Sequence, residues 1–139
     1  MNLDLQITNE GRYPLDEKRL FGVVEGVLKS QQTNRRFDDA SVEVSLLVTG
    51  KEKMAEFNLK YHQTEGPTDV LSFPYTDPQS QTSSELFVTP PDTGIILGDV
   101  IVCFPVAEEN AKKEGKTTQE MIEFYLDHGL HHLLGHHHD

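Results

Sequence analysis

The stretch that decides the fold is residues 117–139, TTQEMIEFYLDHGLHHLLGHHHD. Thr117 is followed three residues later by Glu120, which is the spacing of a capping box at the start of a helix. Apolar residues then recur at helical spacing, and Gly135 is a natural helix stop. The segment therefore predicts an amphipathic helix near the carboxyl end of the chain, on which much of the histidine content is carried.

Two histidines of this helix can bind one metal ion together. His128 and His132 are four residues apart, so at 3.6 residues per turn their side chains lie one above the other on the same face. A third ligand can come from the segment after the helix. His138 is preferred for this role on its spacing of six residues from His132, while His136 and His137 are adjacent alternative donors.

Three histidine ligands suit Zn²⁺ and leave a fourth tetrahedral position for water, as in catalytic zinc sites. Zinc lowers the pKa of such a water from about 15.7 to about 7, so the predicted catalytic group is a zinc-bound water on His128, His132 and His138. A structural zinc site is usually closed by several Cys ligands, but Cys103 is the sole cysteine. Zinc proteases with an H-E-x-x-H helix use the Glu as general base. Gly129 occupies that position here, which favours a different hydrolysis.

Upstream of this helix, short apolar alternations and helical patterns follow one another. They predict the element order βαβαββαα in a single domain, 1–139. The expected fold is α+β, with a small mixed sheet of about four strands packed against four or so helices, and a zincin-like His-bearing helix near the C-terminus. The predicted elements are strands near 3–7, 42–48, 70–73 and 95–102, a helix over about 14–31 opened by Pro14, a helix after a Thr49–Glu52 capping box, and a short helix opened by Pro105.

Composition narrows the function classes. The 139 residues carry a formal net charge of −11, whereas a simple nucleic-acid binder is expected to be basic. One cysteine excludes an intrachain disulfide framework. No apolar run approaches the roughly 18–20 residues of a membrane span, and the first residues lack the pattern of a signal peptide. The expectation is a cytoplasmic protein without membrane contact.

Three blocks of the sequence resemble one known family. Residues 128–138, HGLHHLLGHHH, are similar to the H-G-x-L-H-L-x-G-Y-D-H signature of the YbeY family of bacterial ribosomal-RNA maturation factors. Residues 67–74, PTDVLSFP, and residues 97–101, LGDVI, are similar to two strand motifs of that family. Asn58 and Tyr61 fit its L-N-x-x-Y-R helix end. The resemblance extends from about residue 40 to the end of the chain.

The resemblance implies a single-strand-specific, metal-dependent endoribonuclease that acts in small-subunit ribosomal RNA maturation and ribosome quality control. One Zn²⁺ would be held by the three histidines named above. The implied partners are single-stranded RNA, ribosomal RNA, and the small ribosomal subunit or its proteins, with no DNA expected. The family's Arg after the helix-end Tyr is His62 here. That position is thought to hold RNA phosphate, which His62 can do only when it is protonated. Ser72 lies in the strand that resembles the family's substrate-side strand.

The sequence departs from the family at other positions as well. His131 replaces the Leu before the second ligand, and His136 and His137 replace the Tyr-Asp pair before the third. Family chains usually continue into a closing helix, whereas this sequence ends at Asp139. A frayed end would weaken the third ligand.

The distribution of charge indicates where RNA would bind. Residues 12–61 hold nine of the twelve Lys and Arg against eight acids, whereas residues 62–104 hold six acids and neither Lys nor Arg. The negative total is therefore concentrated away from the first two helices. Predicted RNA contacts are Arg35, Arg36, Lys51, Lys53 and Lys60.

Two other functions remain open at this point. One is a zinc peptidase that takes its base from elsewhere, such as Glu120 or Asp99. The other is a non-catalytic metal-binding protein that docks on the ribosome. Asp69 and Asp99 also have two interpretations, since each can orient a ligand histidine or cap a turn, and turn statistics favour the second.

Overall fold

The structure of the chain is a computed structural model, which describes residues 2–30, 41–75 and 94–135. The predicted element order is confirmed. The elements are β1 (Asn2–Asn9), α1 (Glu17–Lys29), β2 (Ser41–Thr49), α2 (Lys51–His62), β3 (Val70–Pro74), β4 (Ile95–Cys103), α3 (Phe104–Glu114) and α4 (Thr118–Leu133).

The four strands form one mixed sheet in the order β1-β2-β4-β3. β1, β2 and β4 run parallel, and β3 pairs antiparallel with β4 at the edge. Parallel neighbours need crossover connections, which α1 and α2 provide. The predicted α+β class, with a small mixed sheet and four helices, is confirmed.

Helices lie against both faces of the sheet. Side chains alternate between the faces along a strand, and the buried valines and Leu46 of β2 join the larger core with α1, α3 and α4. The opposite face carries a smaller cluster, in which Met54 of α2 packs with Leu71, Ile101 and Cys103. α4 therefore lies on one face of β3 and β4, and α2 on the other.

The first helix starts later than the sequence predicts. α1 begins at Glu17 because Asp16 is its N-cap, with a side chain that accepts a hydrogen bond from the Arg19 backbone N–H at 3.2 Å. It ends at Lys29. The predicted start near Pro14 was wrong because an aspartate cap satisfies the free N–H groups of the first turn, which proline does not.

The predicted capping box at Thr49 is also wrong. Thr49 is still the last residue of β2, and its hydroxyl donates to Glu10 Oε1 at 3.2 Å. α2 begins after Gly50, which has no side chain with which to cap it. The second predicted box is confirmed, since Thr117 and Glu120 exchange both hydrogen bonds at the start of α4.

A bulge in β4 determines which way its residues face. Glu43 of β2 pairs with Ile96, but the next residue, Val44, pairs with Gly98. Gly98 has φ of +140°, and a Cβ there would lie 2.3 Å from the carbonyl oxygen of Phe73. Only glycine permits this approach of β3 to β4.

Among the helices of the described residues, none combines the length and the apolar character that crossing a bilayer requires.

Candidate functional site

A cavity of about 380 Å³ lies between α4, the edge strand β3 and the end of α2. α4 contributes the wall that carries the two predicted metal ligands, and β3 contributes the floor. The lining residues are His62, Asp69, Val70, Leu71, Ser72, Phe124, Tyr125, His128, Gly129 and His132. Four of the predicted site residues are thus brought together: the pair on α4, together with His62 and Ser72.

The two histidines of α4 are spaced as ligands of one ion. His128 Nε2 and His132 Nε2 are 3.2 Å apart, and their ring centroids are 4.7 Å apart. Two nitrogens on a tetrahedral Zn²⁺ at bond lengths of 2.0–2.1 Å are expected to be about 3.3 Å apart. Both side chains are half-buried. The pair therefore fits the geometry of two zinc ligands with little movement.

The described residues include two of the three predicted metal ligands. Residues 2–30, 41–75 and 94–135 contain no group of three His, Cys, Asp or Glu side chains arranged to hold a metal. The predicted third ligand, His138, lies beyond the described residues, as do His136 and His137. His138 as a ligand stays a prediction.

Close contact between α4 and the sheet sets the height of the histidine pair. Gly129 follows His128 and faces Val100 of β4, and a Cβ at this glycine would lie 2.9 Å from Val100 Cγ1. A glycine here lets the helix axis approach the strand. In the sequence, Gly129 is notable as the missing base of a zinc protease. In the structure it is the contact point between α4 and β4.

The Tyr125 side chain forms part of the cavity wall and is held from behind. Its hydroxyl accepts a hydrogen bond from Asn110 Nδ2 of α3 at 2.7 Å. Burial raises the pKa of Tyr125, so the phenol stays protonated. The sequence periodicity identifies Tyr125 only as a core residue, because a side chain that is buried at one end and faces a cavity at the other follows the same pattern.

β3 supplies the floor of the cavity. Ser72 pairs with Val100 across the strands, which places it beside the strand residue that Gly129 contacts. The Asp69 carboxylate accepts the Val70 backbone N–H at 2.7 Å, and the Asp69 carbonyl accepts the Cys103 N–H at 3.0 Å. The bond to Val70 fits a turn-capping role for Asp69 at the entry to β3, and Asp69 also lines the cavity.

A hydrogen-bonded turn holds His62 at the cavity. Asn58 is 6% exposed, and its Nδ2 donates to the carbonyl oxygen of Gly66 at 2.9 Å. Gln63 ends α2 in a left-handed conformation. The ring centroid of His62 lies 6.3 Å from that of Phe73. Asn58 was a motif match in the sequence, and its structural role is to tie the end of α2 to the segment that leads into β3.

The predicted basic contacts are spread along α2. Lys51 pairs with Glu109, and Lys53 pairs with Glu10 at 3.0 Å. Lys51 is at the opposite end of α2 from His62, which is roughly 16 Å along the helix axis. Lys60 lies near the cavity end, with Nζ 5.2 Å from the ring centroid of Tyr61.

Arg35 and Arg36 lie outside the described residues, and their contacts with RNA stay a prediction.

The two candidate bases of a peptidase are held elsewhere. Glu120 accepts the Thr117 backbone N–H at 2.9 Å in the capping box of α4, eight residues and about 12 Å before His128. Asp99 pairs with Ser45 and Phe73 across the strands and lines a second cavity, on the α2 face of the sheet. Neither residue lines the cavity that holds the histidine pair.

Comparisons with known proteins agree with this architecture. The solution structure of the Thermotoga maritima protein TM1509 superposes with a TM-score of 0.56 at 23% identity, covering 98% of this chain and 75% of that one. This likeness supports the fold.

Relatives named Endoribonuclease YbeY share clear sequence similarity. One from Dehalococcoides mccartyi strain BAV1 is 39% identical over 113 residues, 80% of this chain and 71% of the relative. One from Cutibacterium acnes is 34% identical over 134 residues, 96% of this chain and 80% of the relative. One from Bartonella quintana is 32% identical over 137 residues, 99% and 81% of the two chains. The family described as Endoribonuclease YbeY matches residues 6–139. With nearly all of the sequence matched in this way, the chain belongs to the YbeY endoribonuclease family.

Proposed function

We propose that the chain is a zinc-dependent endoribonuclease that cleaves single-stranded RNA, with one Zn²⁺ held by His128, His132 and His138. Its substrate in the cell is precursor RNA of the small ribosomal subunit, met in the cytoplasm on the ribosome. The observation that carries the proposal is the 3.2 Å separation of His128 Nε2 and His132 Nε2 within a cavity. Family membership supports the endoribonuclease activity.

The cavity favours RNA over a peptide as substrate. A peptidase of the H-E-x-x-H type needs a carboxylate beside its first ligand, and the residue there is Gly129. Phosphodiester cleavage relies mainly on charge stabilisation and positioning. The imidazole of His62, which lines the cavity with the pair on α4, supplies such a group.

Each side chain has a definite task in this mechanism. His62 at the end of α2 binds the phosphate when its imidazole is protonated. The Ser72 hydroxyl donates a hydrogen bond to a phosphate or sugar oxygen. Phe124, which is 59% exposed at the cavity, offers a ring on which an unpaired base can stack. A bound zinc ion supplies Lewis acidity toward a phosphoryl oxygen.

Metal content and cleavage, measured on the same samples, test the proposal. We expect about one zinc per chain by elemental analysis, and cleavage of single-stranded RNA but not of duplex RNA or casein. His132→Ala is expected to lose both metal and cleavage. His131→Ala is the matched control, since His131 lies in the same helix turn and its Nε2 is 3.3 Å from Asp127 Oδ1. It is expected to keep both.

Each alternative gives a different result. Casein cleavage that requires His132 would identify a peptidase. Metal binding without cleavage of either substrate would identify a binding protein. RNA cleavage that persists in His132→Ala would contradict the proposal. The ribosomal role predicts faster cleavage of small-subunit precursor RNA than of an unrelated RNA of equal length.

The residue at position 62 gives a second test. Arginine carries a fixed charge, whereas histidine is charged only toward acidic pH. We expect His62→Arg to increase cleavage at pH 8 more than at pH 6, and His62→Ala to decrease it at pH 6. If both variants cleave RNA at the rate of the unmodified chain at pH 6 and at pH 8, His62 does not contact the phosphate.

A further inference from the structure

A second cavity lies across the sheet from the histidine pair. It has a volume of about 590 Å³ and is bounded by the sheet and by α2, a size within the roughly 300–1,000 Å³ of small-molecule sites. The sheet forms the floor of this cavity. One row of cross-strand partners there consists of Ser45 on β2, Asp99 on β4 and Phe73 on β3. The lining residues are Thr8, Ser45, Leu46, Leu47, Phe57, Tyr61, Phe73, Asp99 and Ile101.

Three aromatic rings line this cavity. The Tyr61 side chain is 51% exposed. Its ring centroid lies 5.0 Å from the Phe73 centroid, in an edge-on arrangement, and 6.0 Å from the Phe57 centroid. Lysine ammonium groups lie above two of these rings, with Lys60 Nζ 5.2 Å from the Tyr61 centroid and Lys53 Nζ 6.0 Å from the Phe57 centroid. Aromatic rings flanked by cations are typical of sites for single-stranded nucleic acid.

Among the described residues that line the cavity, one carries a carboxylate. Asp99 is exposed on β4 and is the direct cross-strand partner of Phe73. An ionised carboxylate only accepts hydrogen bonds, so it selects a ligand that presents N–H groups. Guanine presents an imino and an amino N–H side by side on its pairing edge and can satisfy both oxygens. Adenine and cytosine present an amino group to this acceptor, and uracil presents one imino N–H.

A basic side chain of a protein is the competing occupant, because cations also bind over aromatic rings. The rings of Phe57 and Tyr61 already have the chain's own lysines above them. A second cation would meet repulsion there, whereas a nucleobase would not. The two lysines above the rings therefore favour a base over a second cation.

One strand of RNA can reach both cavities. Tyr61 of the second cavity is followed in the chain by His62 of the first, and Phe73 of the second is preceded by Ser72 of the first. Within the described part of the chain, β3, which separates the two, is an edge strand, so a nucleotide chain can pass over this edge. A phosphate at His62 then has a neighbouring base within reach of Tyr61.

Resting on the proposed function, we propose that this second cavity is a nucleobase-specificity site. It stacks one base of the RNA on Tyr61 and Phe73 and selects guanine through the Asp99 carboxylate.

Nucleotide binding without catalysis tests the proposal. The chain, isotopically labelled and kept in chelator, is titrated with 5′-GMP, AMP, CMP and UMP by NMR. We expect GMP to bind most tightly, with the largest shifts at Tyr61, Phe73 and Asp99. Asp99→Asn removes the double acceptor and is expected to weaken GMP binding by about 5- to 100-fold. Tyr61→Ala, at an exposed ring, is expected to weaken all four nucleotides by a similar factor.

A matched control separates an effect at the cavity from an effect of the chain's net charge. Asp4→Asn makes the same change of charge at an exposed position of β1 outside the lining of this cavity, and is expected to bind GMP like the unmodified chain. Equal binding of all four nucleotides, or equal effects of Asp99→Asn and Asp4→Asn, would overturn guanine selection. Shifts produced by the peptide Gly-Arg-Gly but not by GMP would assign the cavity to a basic protein partner.

The outcome is independent of the proposed function. Binding of GMP here by a chain that cleaves no RNA would reject the nuclease proposal and keep the base site. RNA cleavage by a chain that binds no nucleotide here would reject the base site and keep the nuclease proposal.

Discussion

Gly129→Ala gives the sharpest test of how α4 is positioned. The added Cβ would lie 2.9 Å from Val100 Cγ1 and 3.2 Å from Cγ2, whereas carbon atoms pack at about 3.5–4.0 Å. Val100 is 0% exposed and lies on β4 between β2 and β3, so it has little room to move. The helix must shift by several tenths of an ångström, and His128 moves with it.

The expected loss combines two opposing effects. Overpacking of this kind costs about 1–3 kcal/mol, and replacement of glycine by alanine within a helix recovers about 0.8–1 kcal/mol. We therefore expect Gly129→Ala to lower the free energy of unfolding by up to about 2 kcal/mol. Gly26→Ala in α1 is the matched control, since a Cβ there meets no atom within 4 Å. It is expected to stabilise the chain by up to about 1 kcal/mol.

A double-mutant cycle identifies the contact itself. Val100→Ala alone removes two buried methyl groups and is expected to cost about 2–3 kcal/mol. In the double variant the methyl group added at position 129 occupies part of the vacated space. The loss in the double variant should therefore be smaller than the sum of the single losses by about 1–2 kcal/mol. Urea unfolding followed by circular dichroism measures all four proteins. Additive losses, or equal effects at Gly129 and Gly26, would refute the reasoning.

Other substitutions test the supports of the site by the same urea unfolding assay. Gly98→Ala sets a Cβ against a backbone carbonyl of β3 and is expected to cost about 3 kcal/mol or more, whereas Gly115→Ala, at φ of +68° in open space, should cost about 1–2 kcal/mol. Equal losses of stability in Gly98→Ala and Gly115→Ala would contradict a steric clash at Gly98. Asn58→Ala leaves a carbonyl acceptor without its donor and should cost about 1–3 kcal/mol; an unchanged unfolding midpoint would remove Asn58 as the link. Thr117→Ala breaks the capping box and should cost about 1 kcal/mol. Hydrogen bonds from Thr117 hold the pKa of Glu120 below its usual value. The contribution of the Glu120 carboxylate to stability is therefore complete above the unfolded-state glutamate pKa of about 4.3. It is lost as the pH falls through the lower pKa of Glu120 in the folded chain. Glu120→Gln should remove that part of the acid dependence, and an unchanged slope of stability against pH would refute it.

Elements with strong periodicity were predictable from the sequence. The strand alternation around Val44 and the capping box of Thr117 each indicated an element that the structure contains. The error at Thr49 has a physical reason, since its hydroxyl bonds to Glu10, 39 residues away in sequence. Local spacing carries no information on such long-range partners.

Residue spacing alone related only the histidine pair of the cavity to each other. The four-residue spacing of His128 and His132 determines their shared face, because helix geometry relates them directly. The approach of His62 depends on the turn that Asn58 holds and on the register of β3. The separation of Asp99 from the histidine pair depends on which side of the sheet each strand residue faces after the bulge at Gly98. These relations arise from pairing between distant segments.

The edge strand β3 is a wall shared by two chambers. Its odd-numbered residues, Leu71 and Phe73, pack with α2, while Ser72 lies beside α4. Because side chains alternate with a period of two, slippage by one residue would exchange the contents of the chambers. The Tyr75 N–H, which bonds to the Leu97 carbonyl at 3.0 Å, helps to hold the alignment. A one-residue insertion in β3 should therefore damage both chambers at once, whereas a substitution on either side would damage only one.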